Sequence, residues 1–200
     1  MRESCATGAA AQRRALVMAF LTMGMLGSAS AAAVDMRDAD CDNLDIALEP
    51  AADFRSIKCE TGEDRGGMEK AGVTSTSIEG QDALSFIVVI HDRAGSHTYL
   101  RQTDPRGLFS KTLELDIENS WATTSFVSNR FTVRTFFGKL ESQPDKVPCF
   151  AFSRYAGHVS RSTGYSNRVF GVYCEKIPDT EPLAAARIDE VTSKIKAEFF

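Results

Sequence analysis

Histidine is the side chain best suited to proton transfer near neutral pH, and this chain has three: His91, His97 and His158. His91 and His97 flank Asp92-Arg93-Ala94-Gly95-Ser96, a break that reads as a hairpin turn between strands at 84–91 and 97–101. Across such a turn the two rings would approach each other. A pair of this kind divides general-acid and general-base roles in phosphodiester hydrolysis, with Asp92 or Asp104 orienting one ring. The plainer reading leaves both rings on exposed strand positions. No G-x-S-x-G, H-E-x-x-H, Walker or G-x-G-x-x-G pattern accompanies them. A small secreted hydrolase using His91 and His97 is therefore the alternative reading, and a non-enzymatic protein the leading one.

Binding chemistry concentrates further along. Arg154, Tyr155, His158, Arg161, Tyr165 and Arg168 fall on two strand-like segments, 149–159 and 168–176, and on the Ser/Gly/Asn-rich connection between them. From Trp121 to Lys176 there are eight Lys/Arg against three Asp/Glu, a local excess of +5 in an otherwise acidic chain. Arginine offers a planar donor fork for carboxylate, sulfate or phosphate, and tyrosine a rigid amphipathic ring. Together they form a candidate recognition surface for an anionic ligand or an envelope protein. The plainer reading is a solvated loop, with Arg130 and Arg134 spent in cross-strand ion pairs.

The opposite charge gathers near the start, where residues 35–64 hold ten Asp/Glu and three Lys/Arg. Asp38, Asp40, Asp42 and Glu49 echo the spacing of a calcium loop, whose oxygen ligands stand at positions 1, 3, 5 and 12. Asn43 occupies the position that wants Gly, and Asp45 the usual apolar one. A solvated acidic segment is the simpler account, and no metal or cofactor is implied.

Residues 1–33 read as a secretory signal peptide. Arg2, Arg13 and Arg14 precede an apolar stretch from Ala15 to Leu26, within the ~7–15 residues usual for such a core and too short to span a bilayer. The small residues Ser28 to Ala33 supply cleavage sites, so cleavage is expected near Ala33, with export to the periplasm or beyond the cell. Removing three Arg and one Glu from 23 Lys+Arg and 27 Asp+Glu leaves 20 against 26, a net charge of −6. That balance argues against nucleic acid as a partner. No later apolar stretch is long enough for a transmembrane anchor. Cys41, Cys59, Cys149 and Cys174 remain, an even number that reads as disulfides in an exported chain. Three connectivities are open to four cysteines, and the local pairs Cys41–Cys59 and Cys149–Cys174 are preferred.

The elements that must position these groups follow from periodicity. Residues 34–82 form an acidic, loop-rich N-terminal part, with 61–80 as a long loop. Leu113 to Glu118 alternates apolar with acidic residues, and Arg130 to Thr135 alternates basic with apolar or neutral ones. An antiparallel pairing with 118 opposite 130 would match Glu118 to Arg130, Glu114 to Arg134, Ile117 to Phe131 and Leu115 to Val133. A strand at 123–127 lying between them would break that pairing. A helix is expected from Glu181-Pro182 onward, capped by Asp179 or Thr180, with Leu183, Ile188, Val191, Ile195 and Phe199 as its apolar stripe. The expected fold is a single α+β domain, 34–200, in which a mainly antiparallel sheet (83–200) packs against the C-terminal helix and disulfides staple it.

Overall fold

An unbroken apolar run such as Phe86-Ile87-Val88-Val89-Ile90 needs cover on both faces of its strand. The computed structural model supplies that cover; it describes residues 35–49, 54, 56–63, 67–79, 82–109, 122–139, 146–159, 164–177 and 181–199. Its elements are β1 (Arg37–Asp38), β2 (Ile46–Leu48), β3 (Ser56–Glu63), β4 (Glu69–Glu79), β5 (Asp82–Arg93), β6 (Leu100–Arg101), α1 (Pro105–Phe109), β7 (Phe126–Ser128), β8 (Phe131–Lys139), β9 (Lys146–His158), β10 (Gly164–Glu175), α2 (Ala185–Ser193) and β11 (Ile195–Ala197). The main sheet runs β1-β3-β4-β5-β10-β9-β8-β7, with β6 beside β10, and every pairing is antiparallel. A separate pair joins β11 to β2.

The fold is thus two meanders, β3-β4-β5 and β7-β8-β9-β10, joined where β10 lies against β5. Side-chain alternation divides the core between the two faces. Val73, Ile87, Val89, Phe131, Val133, Phe150, Phe152, Val169 and Tyr173 share one buried cluster with Ile46 and Leu48 of β2, Ile188 and Val191 of α2, and Ile195 of β11. Phe136, Val147, Ala151, Phe170 and Val172 form a second cluster under Phe109 of α1. The Arg187 guanidinium ties α2 to β10, meeting Glu175 at 2.9 Å and the Tyr173 hydroxyl at 2.7 Å. Asn129 and Arg130, at φ +45° and +70°, make the tight two-residue turn between β7 and β8.

Two disulfides close as preferred, Cys41–Cys59 and Cys149–Cys174, the second between residues directly opposite on β9 and β10. They fit an oxidising compartment. Among the described residues no helix is long and apolar enough to cross a membrane.

Several expectations are corrected. Residues 61–80 are not a long loop: 61–63 end β3 and 69–79 make β4, because the Thr/Ser run between two partner strands gains a hydrogen-bonded ladder on each side. Residues 97–101 do not fold back on β5; β6 pairs with β10, continuing the edge that β5 leaves at Arg93. The pairing of 113–118 with 130–135 is closed over its apolar part, since β7 and β9 already flank Phe131 to Val133. The C-terminal helix stops at Ser193, and Ile195 enters a strand that hydrogen-bonds to β2. Residues 1–33, 113–118, 179, 180 and Arg161 lie outside the described residues.

Gly171 sits where the two meanders meet. A Cβ there would lie 2.2 Å from the Val88 carbonyl oxygen and 2.3 Å from the Phe152 ring. The Gly171→Ala variant is expected to lose about 1–3 kcal/mol of stability in urea denaturation, since the backbone of β5 must shift to admit the methyl group.

Candidate functional site

Strand alternation sorts the residues expected to bind. Tyr155 and Arg168 are paired in register and share the α1 face, whereas the next residue in β9, Arg154, pairs with Val169 and faces the α2 side. Arg154 lies half-buried near Arg130; burial first, and that second cation next, lower its pKa from the usual arginine value. Arg168 donates to the fully buried Asp92, which Lys70 also approaches at 3.4 Å, and its guanidinium stacks over Phe170 at 4.7 Å. Its charge is already answered from within the sheet.

The residues that do gather lie at the open end of β9 and β10. Gly157 has φ +69° within β9, and the pairing register runs on through it to His158 opposite Tyr165. Beyond it the Tyr165 ring lies 5.2 Å from Tyr155 and 5.7 Å from His158. Tyr99 packs over Gly164, where a Cβ would come within 2.2 Å of its ring. Arg101 of β6 sets its guanidinium 5.9 Å from the Tyr99 centroid. The strip is anchored rather than loose. The Tyr155 hydroxyl accepts from the Thr103 N–H at 2.9 Å, and the Tyr165 hydroxyl reaches Gln102 Oε1 at 3.4 Å. Tyr99 remains 43% exposed, and Arg101 and His158 are exposed.

Tyr99 and Arg101 did not stand out in the sequence. Their only signal is the alternation Tyr99-Leu100-Arg101, which puts Leu100 in the core and its neighbours outside.

Beside the strip lies an open cleft of about 390 Å³. Thr132 and Ser153, opposite one another on β8 and β9, lie among its lining, with Gln102, Thr103 and Asp104 from one side and Ser125 and the exposed Phe126 and Val127 from the other. Asp104 caps α1 by accepting the Arg106 N–H at 3.0 Å, and pairs with Arg134 at 2.8 Å. Arg134 also donates to the carbonyls of Ala122 and Thr123.

The histidines are set apart in their surroundings. His91 is buried on the α2 face, stacked 4.3 Å from Phe199 and bonded to Asn167 Oδ1 at 3.1 Å. His97 is exposed in the turn after β5, and the carboxylate of Asp92 is turned to Lys70 and Arg168. The acidic residues are likewise dispersed. Asp40 caps a short turn by accepting the Asp42 N–H, and Glu49 faces Lys194 and Lys196. Among the described residues no three His, Cys, Asp or Glu side chains gather to hold a metal ion.

Burial is the largest influence on His91 and lowers its pKa below 6.5, outweighing the bond to Asn167 and the charges of Asp45 and Asp92, which raise it. The unfolded chain then binds the extra proton more readily, so stability is full above the unfolded value and falls as pH drops below it. Urea denaturation should give a lower unfolding free energy at about pH 5.5 than at about pH 7.5, and His91→Gln should flatten that difference.

No family model, no curated protein and no solved structure matches this chain.

Proposed function

We propose that this chain is an exported, non-enzymatic binding module of the periplasm or secreted space. Its ligand surface is the strip of Tyr99, Arg101, Tyr155, His158 and Tyr165, and its ligand is anionic. One observation carries the reading: the rings of Tyr155, His158 and Tyr165 lie against one another, and next to Tyr165 in the ladder, at Gly164, stand Tyr99 and the exposed guanidinium of Arg101, which pairs with no carboxylate among the described residues. Rigid rings give contact area at low entropic cost, and an exposed guanidinium gives a fork for carboxylate, sulfate or phosphate.

Of the residues first singled out, Tyr155, His158 and Tyr165 stay in the proposed surface. Arg154 and Arg168 leave it, one for the opposite face and the other for Asp92. In this reading α2 covers the face of Arg154 and leaves the face of Tyr155 to the ligand. Export rests on the expected signal peptide and agrees with the two disulfides.

Retention on immobilised heparin and sedimentation with phosphatidylglycerol vesicles present the same anionic chemistry in two forms. The wild-type chain should bind at least one of them with marked salt dependence. Arg101→Gln should weaken that binding about tenfold, the size of one charge-assisted hydrogen bond, while Arg154→Gln leaves it unchanged. Binding by Arg101→Gln at the wild-type level, or none by the wild type to either form, would overturn the proposal.

A further inference from the structure

Gln102 belongs to both features of the α1 face. Its side-chain oxygen meets the Tyr165 hydroxyl of the strip, and the residue also lines the neighbouring cleft. A ligand lying on the strip therefore has a continuous path past Gln102 toward Thr132 and Ser153. The chemistry of the two ends differs. The strip offers rings and an exposed cation held at Tyr99, and the cleft offers hydroxyl and amide groups that both donate and accept, beside the apolar side chains of Phe126 and Val127.

The cleft's charge is cancelled at its own wall. Both oxygens of Asp104 have partners, Arg134 and the Arg106 N–H, and Arg134 is committed to that carboxylate and two carbonyls. An anion entering here would meet a carboxylate and no uncommitted cation among the lining residues. An acyl chain would gain contact with Phe126 and Val127 alone and would strip water from the hydroxyls of the other lining residues without replacing their hydrogen bonds, which costs free energy. A neutral ring bearing several hydroxyls answers each of those groups, and a cleft of this size accommodates a sugar unit.

We infer that the anionic ligand is a glycan chain, with an acidic sugar on the strip and a neighbouring neutral sugar in the cleft. This rests on the strip being the ligand surface. On the strip, the apolar C–H face of a sugar ring lies against Tyr99 or Tyr165 while its carboxylate or sulfate faces Arg101. Gln102 bridges the two positions.

Titration calorimetry on the full mature chain separates this inference from the reading beneath it. The probes are glucuronate, a hyaluronan hexasaccharide, whose sugars alternate acidic and neutral, and phosphatidylglycerol vesicles. The hexasaccharide should bind at least about tenfold more tightly than glucuronate, because a second position adds its own hydrogen bonds. Arg101→Gln should weaken both saccharides. Thr132→Val, with Ser153→Ala as a second variant, should weaken only the hexasaccharide, and thermal melting will show that each variant is folded. Equal binding of the two saccharides, or a hexasaccharide indifferent to both cleft variants, overturns the glycan-chain inference and leaves the anionic strip standing. Binding of vesicles with neither saccharide bound overturns it in favour of a lipid headgroup. No binding of any probe overturns the strip as well.

Discussion

The ladder between β5 and β10 is the interaction on which the rest of this structure depends. Nine consecutive residues pair there, from Asn167 opposite Arg93 to Glu175 opposite Ser85. It joins two meanders that are otherwise separate in the sheet. Both strands are apolar on both faces where they meet, so the junction feeds both core clusters at once. Gly171 lets the Val88 carbonyl and the Phe152 ring come close at its centre. The same ladder ends at Arg93, and β6 then takes up the edge of β10. Without that handover Tyr99 and Arg101 would not stand beside Tyr165.

Charge is used differently at the two depths of this sheet. Lys70, Asp92 and Arg168 form a row across β4, β5 and β10, with the carboxylate fully buried between two cations. Removing one partner of such a group leaves an uncompensated charge in the interior, which ties these residues to the register of the strands. The guanidinium of Arg101 lies outside this network on a two-residue strand. The pair Asp104–Arg134 is intermediate, capping α1 and setting the charge of the cleft to zero.

Much of the scaffold was legible in the sequence because it obeys short-range rules. Val169 to Cys174 and Val147 to Phe152 announce buried strands by their unbroken apolar character, and Pro105 with Asp104 announces a turn that closes as one helical turn. The local cysteine pairs were favoured for the same reason. The Thr/Ser-rich β4 was not legible, since its residues gain their strand conformation from neighbours on both sides. Nor was the end of α2, where Ile195 and Phe199 continue a helical spacing but are taken instead by β2 and His91.

The candidate site divides along the same line. Sequence alone determined that Arg and Tyr residues cluster near the β9–β10 connection, that four cysteines follow the expected signal peptide, and that the G-x-S-x-G, H-E-x-x-H, Walker and G-x-G-x-x-G patterns are absent. Tertiary structure decided which of those residues share a face. It sent Arg154 to one side and Tyr155 to the other, bound Arg168 to Asp92, and brought Tyr99 and Arg101 in from a segment some sixty residues away. The physical reason is that a strand's pattern tells which residues share a face, whereas its neighbours and their order are set by burial and hydrogen bonding across the whole sheet.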